Sequence, residues 1–114
     1  MENEKYFTCP IDFTIHLIGD KWSMWILWSL MEGPTRFGEL KRKIPEITEK
    51  VLIQQLKKFE RNHIISRKLY PEVPPKVEYM LTSHGESLKG LMETIRTWGE
   101  EHLLLQDLND NLMT

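Results

Sequence analysis

The chain has 114 residues, 40% of them hydrophobic and 10% aromatic, with 15 lysines and arginines against 17 acids and a single cysteine. That length suits one domain with its own core and excludes two large ones, while a lone Cys9 excludes an intrachain disulfide, a four-cysteine zinc site and a CxxC redox pair. The longest unbroken apolar stretch, Met24–Trp28, is far short of the about 20 residues that span a bilayer, and the opening MENEKYFTCP has no apolar signal core, so the expected location is the cytoplasm.

The net charge of −2 conceals a division along the chain. Residues 1–35 hold two lysines and five acids, residues 36–76 hold 11 basic residues and five glutamates, and residues 77–114 hold two basic residues and seven acids. A basic middle between acidic ends can meet a polyanion through one face, although a run of charge by itself only keeps a surface wet.

There are no repeats, low-complexity tracts or Gly/Ser linkers, and residues 1–8 read as a flexible arm. Cys9-Pro10 opens a first helix, with Pro at a position where its missing N–H costs nothing; Phe13, Leu17 and Ile18 share a face and Gly19 ends it. Asp20 caps a second helix, Lys21 to Met31, apolar nearly all round, whose Trp22, Trp25 and Trp28 are assigned to the core and given no chemistry. After the Gly33-Pro34 stop, Thr35 is expected to cap a short third helix through Lys43, with Phe37 and Leu40 inward, before Ile44-Pro45 breaks the chain.

Thr48 then caps a fourth helix, Glu49 to about Arg61. Leu52, Leu56 and Phe59 face inward at i, i+4, i+7, and Lys50, Gln54, Lys57, Lys58 and Arg61 face elsewhere. Ile64–Tyr70 alternates as a strand, Pro71–Pro75 cannot enter a ladder, and Val77–Leu81 alternates back, which makes a hairpin. Thr82 or Ser83 is expected to cap a last helix carrying Leu88, Leu91, Met92, Ile95, Trp98, His102 and Leu105 at steps of three and four. That stripe exceeds what one small core can cover, so with Leu103, Leu104 and Leu108 it is expected to bury against a second copy in a symmetric dimer.

Helices followed by a β-hairpin, with the basic segment ending where the hairpin turn ends, make a winged helix-turn-helix. The fold class is α+β, mostly α, with residues 9–82 as the winged unit and residues 83–114 as a dimerisation helix and tail of the same single domain. The expected partner is double-stranded DNA. Gln54 and Gln55 suit adenine edges, Lys50 and Lys57 suit bases or phosphates, Thr48 suits a phosphate, and Val51 shares their stretch. Arg36, Lys41, Arg67, Lys68 and Lys76 read as phosphate clamps. His16, His63, His84 and His102 have no metal spacing, and no nucleophile arrangement, paired carboxylates or cofactor motif supports an enzyme. At the start of a helix, Cys9 feels a dipole that favours thiolate, with Lys5 nearby in sequence; it reads equally as a small buried apolar residue.

These residues resemble the HxlR-type winged helix-turn-helix transcriptional regulators of bacteria, relatives of the MarR group. The likeness runs from about residue 9 to residue 100: Cys9-Pro10, Ile18-Gly19-Asp20-Lys21-Trp22, Gly33-Pro34, Arg36-Phe37, Glu39-Leu40, Ile44-Pro45 and Ile47-Thr48, then Lys50-Val51-Leu52, Leu56 and Glu60. Its most specific piece is Tyr70 to Tyr79, YPEVPPKVEY, followed by Leu81-Thr82, Gly85, Leu88 and Trp98-Gly99. The resemblance implies that the fourth helix enters the major groove, that the protein is a repressor on a pseudo-palindromic operator, and that Cys9 senses an oxidant or electrophile. With no second cysteine, Cys9 could be alkylated, join a small thiol, or bridge to the partner subunit. Rival readings are a winged-helix protein-protein adaptor and a regulator gated by a small effector held between the last helix and the core. His63 departs from the pattern where a Gly usually follows the recognition helix, and Asn62 is expected to take the left-handed conformation instead.

Overall fold

The computed structural model describes residues 7–113. Most of the arm expected over residues 1–8, Lys5 included, lies outside that range. Within it the order is α1 (Pro10–Ile18), α2 (Lys21–Leu30), β1 (Thr35–Arg36), α3 (Phe37–Lys43), α4 (Glu49–Arg61), β2 (Ile65–Tyr70), β3 (Lys76–Leu81), α5 (Ser83–Glu86) and α6 (Lys89–Met113).

The helix starts follow from side chains that satisfy free backbone N–H groups. Pro10 opens α1, Asp20 accepts from the Ser23 N–H at 2.9 Å, and Thr48 Oγ1 accepts from the Val51 N–H at 3.1 Å. Their inward faces meet in one core: Leu17 and Ile18 of α1, Ile26, Leu27 and Leu30 of α2, Leu40 of α3, Leu52, Leu56 and Phe59 of α4, and Met92 of α6, all 5% exposed or less. Each contributes about 1.5–3 kcal/mol of burial before entropy is counted. Because Leu52, Leu56 and Phe59 occupy one stripe of α4, seating them against the core turns the opposite face of that helix outward.

The sheet has three strands in the order β1-β3-β2, all antiparallel, so the expected hairpin gains a strand. Thr35 pairs with Tyr79 and Arg36 with Glu78, while Arg67 faces Tyr79 from the other side. Thr35 is therefore a buried strand residue, its hydroxyl donating to the Gly33 carbonyl at 2.9 Å, and does not cap α3. The cap position belongs to Arg36, whose N–H donates to Glu39 Oε1 at 3.1 Å.

Three further expectations are corrected. The last helix is not continuous from residue 83. Thr82 caps a single turn, α5, by accepting from the Gly85 N–H at 3.0 Å, and the chain restarts at Lys89. Gly85 packs so close to the Ile64 carbonyl oxygen that a Cβ there would collide with it, which pins this turn under the wing. Next, the left-handed residue after α4 is His63, at φ 59°, and not Asn62. The Asn62 side chain donates to the Lys58 carbonyl at 2.9 Å and holds its own backbone at φ −97°. Finally, Trp25 and Trp28 are 46% and 38% exposed. Ser23, Ile26, Leu27 and Leu30 line the buried side of α2, with Trp22 and Met24 partly buried against the core as well, and a ten-residue helix cannot bury both faces in so small a body.

Helix α6 has 25 residues, about 37 Å of helix. Met92 anchors its first half in the core; beyond it Trp98, Leu103, Leu104, Leu105 and Leu108 are at least 50% exposed. On α1, Ile11 and Ile15 are exposed as well. No helix among the described residues is long and apolar enough to cross a membrane.

Candidate nucleic-acid interface

The outward face of α4 carries Lys50, Gln54, Lys57 and Arg61 at successive steps of four, three and four, all exposed. Among the described residues no carboxylate forms an ion pair with Lys50, Lys57 or Arg61, so the stripe presents net positive charge with one carboxamide in it. Thr48 is exposed at the start of the helix, its hydroxyl oxygen engaged as the cap. Val51 is partly buried against the core.

The neighbouring stripe has a different fate. The Gln55 carboxamide accepts from Ser23 Oγ at 2.9 Å and donates to Asp20 Oδ1 at 3.3 Å. Lys58 turns inward, against expectation, and donates to Ser23 Oγ at 2.8 Å with Asp20 Oδ2 at 3.6 Å. Burial works to raise the Asp20 pKa, but the Ser23 hydrogen bonds and the Lys58 charge outweigh it and hold the carboxyl below its ordinary value. Burial also dominates at Lys58, lowering its pKa although the Asp20 charge opposes the shift. Asp20, Ser23, Gln55 and Lys58 thus brace the start of α2 against α4 and set the rotation of α4 about its axis. Sequence reading missed this brace; the Asp20-x-x-Ser23 spacing signals the cap, but nothing local places Lys58, 35 residues on, beside it.

The wing brings more cations alongside. Arg67 and Lys68 are exposed on β2, and Arg67 Nε lies 3.6 Å from Glu60 Oε2 on α4. Lys57, Arg67 and Tyr79 line one groove of about 360 Å³ between α4 and the wing. Burial raises the Tyr79 pKa, the nearby Arg67 charge opposing it. Lys76 is more restrained: its Nζ stands 4.4 Å from the Tyr70 ring centre and 3.7 Å from Glu78 Oε2, and the Tyr70 hydroxyl donates to Glu78 Oε1 at 2.9 Å. Lys68 Nζ lies near the same Tyr70 ring, 4.8 Å from its centre. Arg36 is exposed on β1 beside wing strand β3, and Lys41 is partly buried on α3.

A helix braced on α2, offering a cationic face next to a basic β-hairpin, is the arrangement with which winged helix-turn-helix proteins approach a duplex. Residues 17–107 match the family model described as HxlR-like helix-turn-helix. The chain belongs to that family. It is 50% identical over 95 residues, 83% of this chain and 80% of the relative, to the HTH-type transcriptional regulator YkvN of Bacillus subtilis (strain 168). Its fold is similar to the crystal structure of ytcD, an HTH-type transcriptional regulator, at TM-score 0.80 and 43% identity, covering 84% of this chain and 98% of that one. It is also similar to the redox regulator HypR in its reduced form, at TM-score 0.81 and 36% identity, covering 87% and 98%. This HxlR-like protein is a DNA-binding transcriptional regulator and not an enzyme.

Cys9 stands at the N-cap of α1 in extended backbone, partly buried, and makes no cap hydrogen bond through its side chain. No group of three or more His, Cys, Asp or Glu side chains suited to a metal ion occurs among the described residues.

Proposed function

We propose that this HxlR-like regulator works in the cytoplasm as a homodimeric repressor on a pseudo-palindromic operator. The observation that carries the reading is the exposed Lys50, Gln54, Lys57 and Arg61 stripe beside the Arg67 and Lys68 wing strand. In this reading α4 lies in the major groove with Gln54 on a base edge, Lys50 and Lys57 on bases or phosphates, and Val51 against a thymine methyl. Thr48, Arg36, Lys41, Arg67, Lys68 and Lys76 meet phosphates, while Gln55, committed to Asp20 and Ser23, orients the helix. Two copies joined through the projecting half of α6 and the exposed face of α1 place their α4 helices in major grooves about 34 Å apart, and a dimer so placed blocks polymerase.

Cys9 is the proposed sensor. The reading is supported by its place at a helix start and by likeness to a protein described as a redox regulator. As the only cysteine, it adds an electrophile through its sulfur, or, when an oxidant such as a peroxide takes up two electrons and the two thiol protons, it forms a disulfide with a small thiol or with the same cysteine of the partner subunit.

The test is fluorescence anisotropy on a duplex from the gene's own upstream region and on a random duplex, at two salt concentrations. Gln54→Ala is expected to weaken operator binding by about 1–3 kcal/mol and leave random-duplex binding nearly intact; equal losses on both duplexes overturn the base-reading role. Salt-sensitive binding that a thiol-specific electrophile releases from the native chain, but not from Cys9→Ser, establishes the sensor. Release from both retires it.

A further inference from the structure

Between α2, the end of α3 and the anchored half of α6 lies a cleft of about 430 Å³, within the range of about 300–1,000 Å³ that holds small molecules. Its walls are Trp25, Trp28, Met92 and Ile95, and its charged lining residues are Lys43 and Arg96. We propose that this cleft binds an aromatic carboxylate of one or two rings, the indoles taking the ring and the two cations taking the carboxylate. The proposal gives the regulator read above an effector class and rests on that reading only for its consequence at DNA.

Three observations select this occupant. Trp25 and Trp28 are 46% and 38% exposed while their neighbours Ile26 and Leu27 are 0% exposed, so large flat apolar surface stays open at the cleft and favours a planar aromatic ligand. The Arg96 guanidinium carbon sits 5.6 Å from the Trp28 ring centre, so cation and ring form one composite surface. The sign of the charge decides the rest: both charged lining residues are cations and no carboxylate lines the cleft. Their present partners, Glu32 at 2.8 Å from Lys43 and Glu100 at 2.9 Å from Arg96, have side chains 69% and 63% exposed. Such exposed pairs hold weakly, and a carboxylate seated on the indoles can replace them.

The occupant would touch three elements that determine how α4 is presented. Helix α2 carries the Asp20–Ser23 end of the brace on α4, Lys43 ends α3, and Arg96 belongs to the helix whose far half is the proposed dimer face. Filling the cleft therefore favours one arrangement of α2 against α6, and the brace passes that preference to α4.

The experiment uses ¹⁵N-labelled full chain, in which the four tryptophan indole N–H signals are assigned by Trp→Phe variants, titrated with 2-naphthoate and with neutral 2-naphthalenemethanol. The expected result is saturable shifts of the Trp25 and Trp28 signals with 2-naphthoate, none at Trp98, and at least fivefold weaker binding of the neutral probe. Arg96→Gln and Lys43→Gln, both at exposed positions and checked for native dispersion, should each weaken 2-naphthoate at least threefold and leave the neutral probe unchanged. The site is overturned by an absence of shifts, as when a second copy already covers the cleft, by equal binding of both probes, or by shifts as large at Trp98. Duplex anisotropy with and without 2-naphthoate reads the consequence. A change of threefold or more supports the effector role and an unchanged affinity overturns it, whereas failure to bind duplex without the probe counts against the proposed function and not the cleft.

Discussion

Removing the Asp20 carboxylate tests whether the polar brace holds α4 or merely decorates it. Asp20→Ala deletes an N-cap, about 1 kcal/mol, and takes away the acceptor 2.7 Å from the fully buried Ser23 hydroxyl, a further fraction of 1 kcal/mol because the Gln55 oxygen remains as an acceptor. It also leaves Lys58, with a side chain only 15% exposed, without its carboxylate. A fully buried pair broken in this way costs about 3–5 kcal/mol, but Asp20 is 44% exposed and Lys58 can reach water by rotating, which reduces that part to about 1 kcal/mol. The expected loss is about 2–3 kcal/mol. Lys58→Met removes the cation together with its desolvation and keeps the cap, so it should stay within about 1 kcal/mol of the parent. In the double variant the two costs should fall short of their sum by about 1 kcal/mol. Urea unfolding followed by tryptophan fluorescence at one protein concentration measures all four species. Strict additivity, or an Asp20→Ala loss below about 1 kcal/mol, refutes the brace.

The same brace sets a pH dependence. The Asp20 pKa is lowered in the fold, so its contribution to stability is complete above its ordinary value near about 4 and is lost as pH falls through the folded value; Asp20→Asn should flatten that acid limb in pH-dependent urea titrations. The Lys58 pKa is also lowered, so stability should rise as pH climbs from its folded value toward about 10.4, and Lys58→Met should abolish the rise. His63→Gly relieves a non-glycine residue at φ 59° and should raise stability by about 0.5–1 kcal/mol, read as a higher urea midpoint. Gly85→Ala drives a methyl into the Ile64 carbonyl and should cost more than about 2 kcal/mol, with the loss visible as a lowered Tm. Trp98→Glu, at a side chain 65% exposed, should shift sedimentation velocity from dimer to monomer at micromolar concentration and leave the far-UV helical signal in place.

The helices were legible because each announces itself locally. Pro10, Asp20 and Thr48 mark starts, and Leu52, Leu56 and Phe59 mark a face over three turns. What escaped was set by contacts distant in sequence. Two residues of β1 are too few to show alternation and become a strand only because β3 passes beside them. The run from Thr82 onward reads as one helix by periodicity, yet the close approach of Gly85 to Ile64 stops it after a turn. The exposed stripe of α4 followed from the position of its inward stripe, but the separation of Gln54 from Gln55 did not. Adjacent glutamines look alike in sequence, and it takes Asp20 and Ser23 to commit one of them. Hydrophobicity alone points all three tryptophans of α2 inward, but burying Ile26 and Leu27 turns Trp25 and Trp28 the other way and leaves only Trp22 of the three against the core.

Among the described residues the strand order β1-β3-β2 leaves β2 with one unpaired side, six residues long and carrying Arg67 and Lys68. An open strand edge is a template on which other chains can add, and cations along it discourage that addition. The two side chains proposed to hold phosphate therefore also keep the wing from joining other sheets when no DNA is present. Neutralising them together would lower duplex affinity and solubility in the same variant, so evolution of weaker binding is freer to proceed through Lys50 or Lys57, on a helix with no edge to guard, than through the wing.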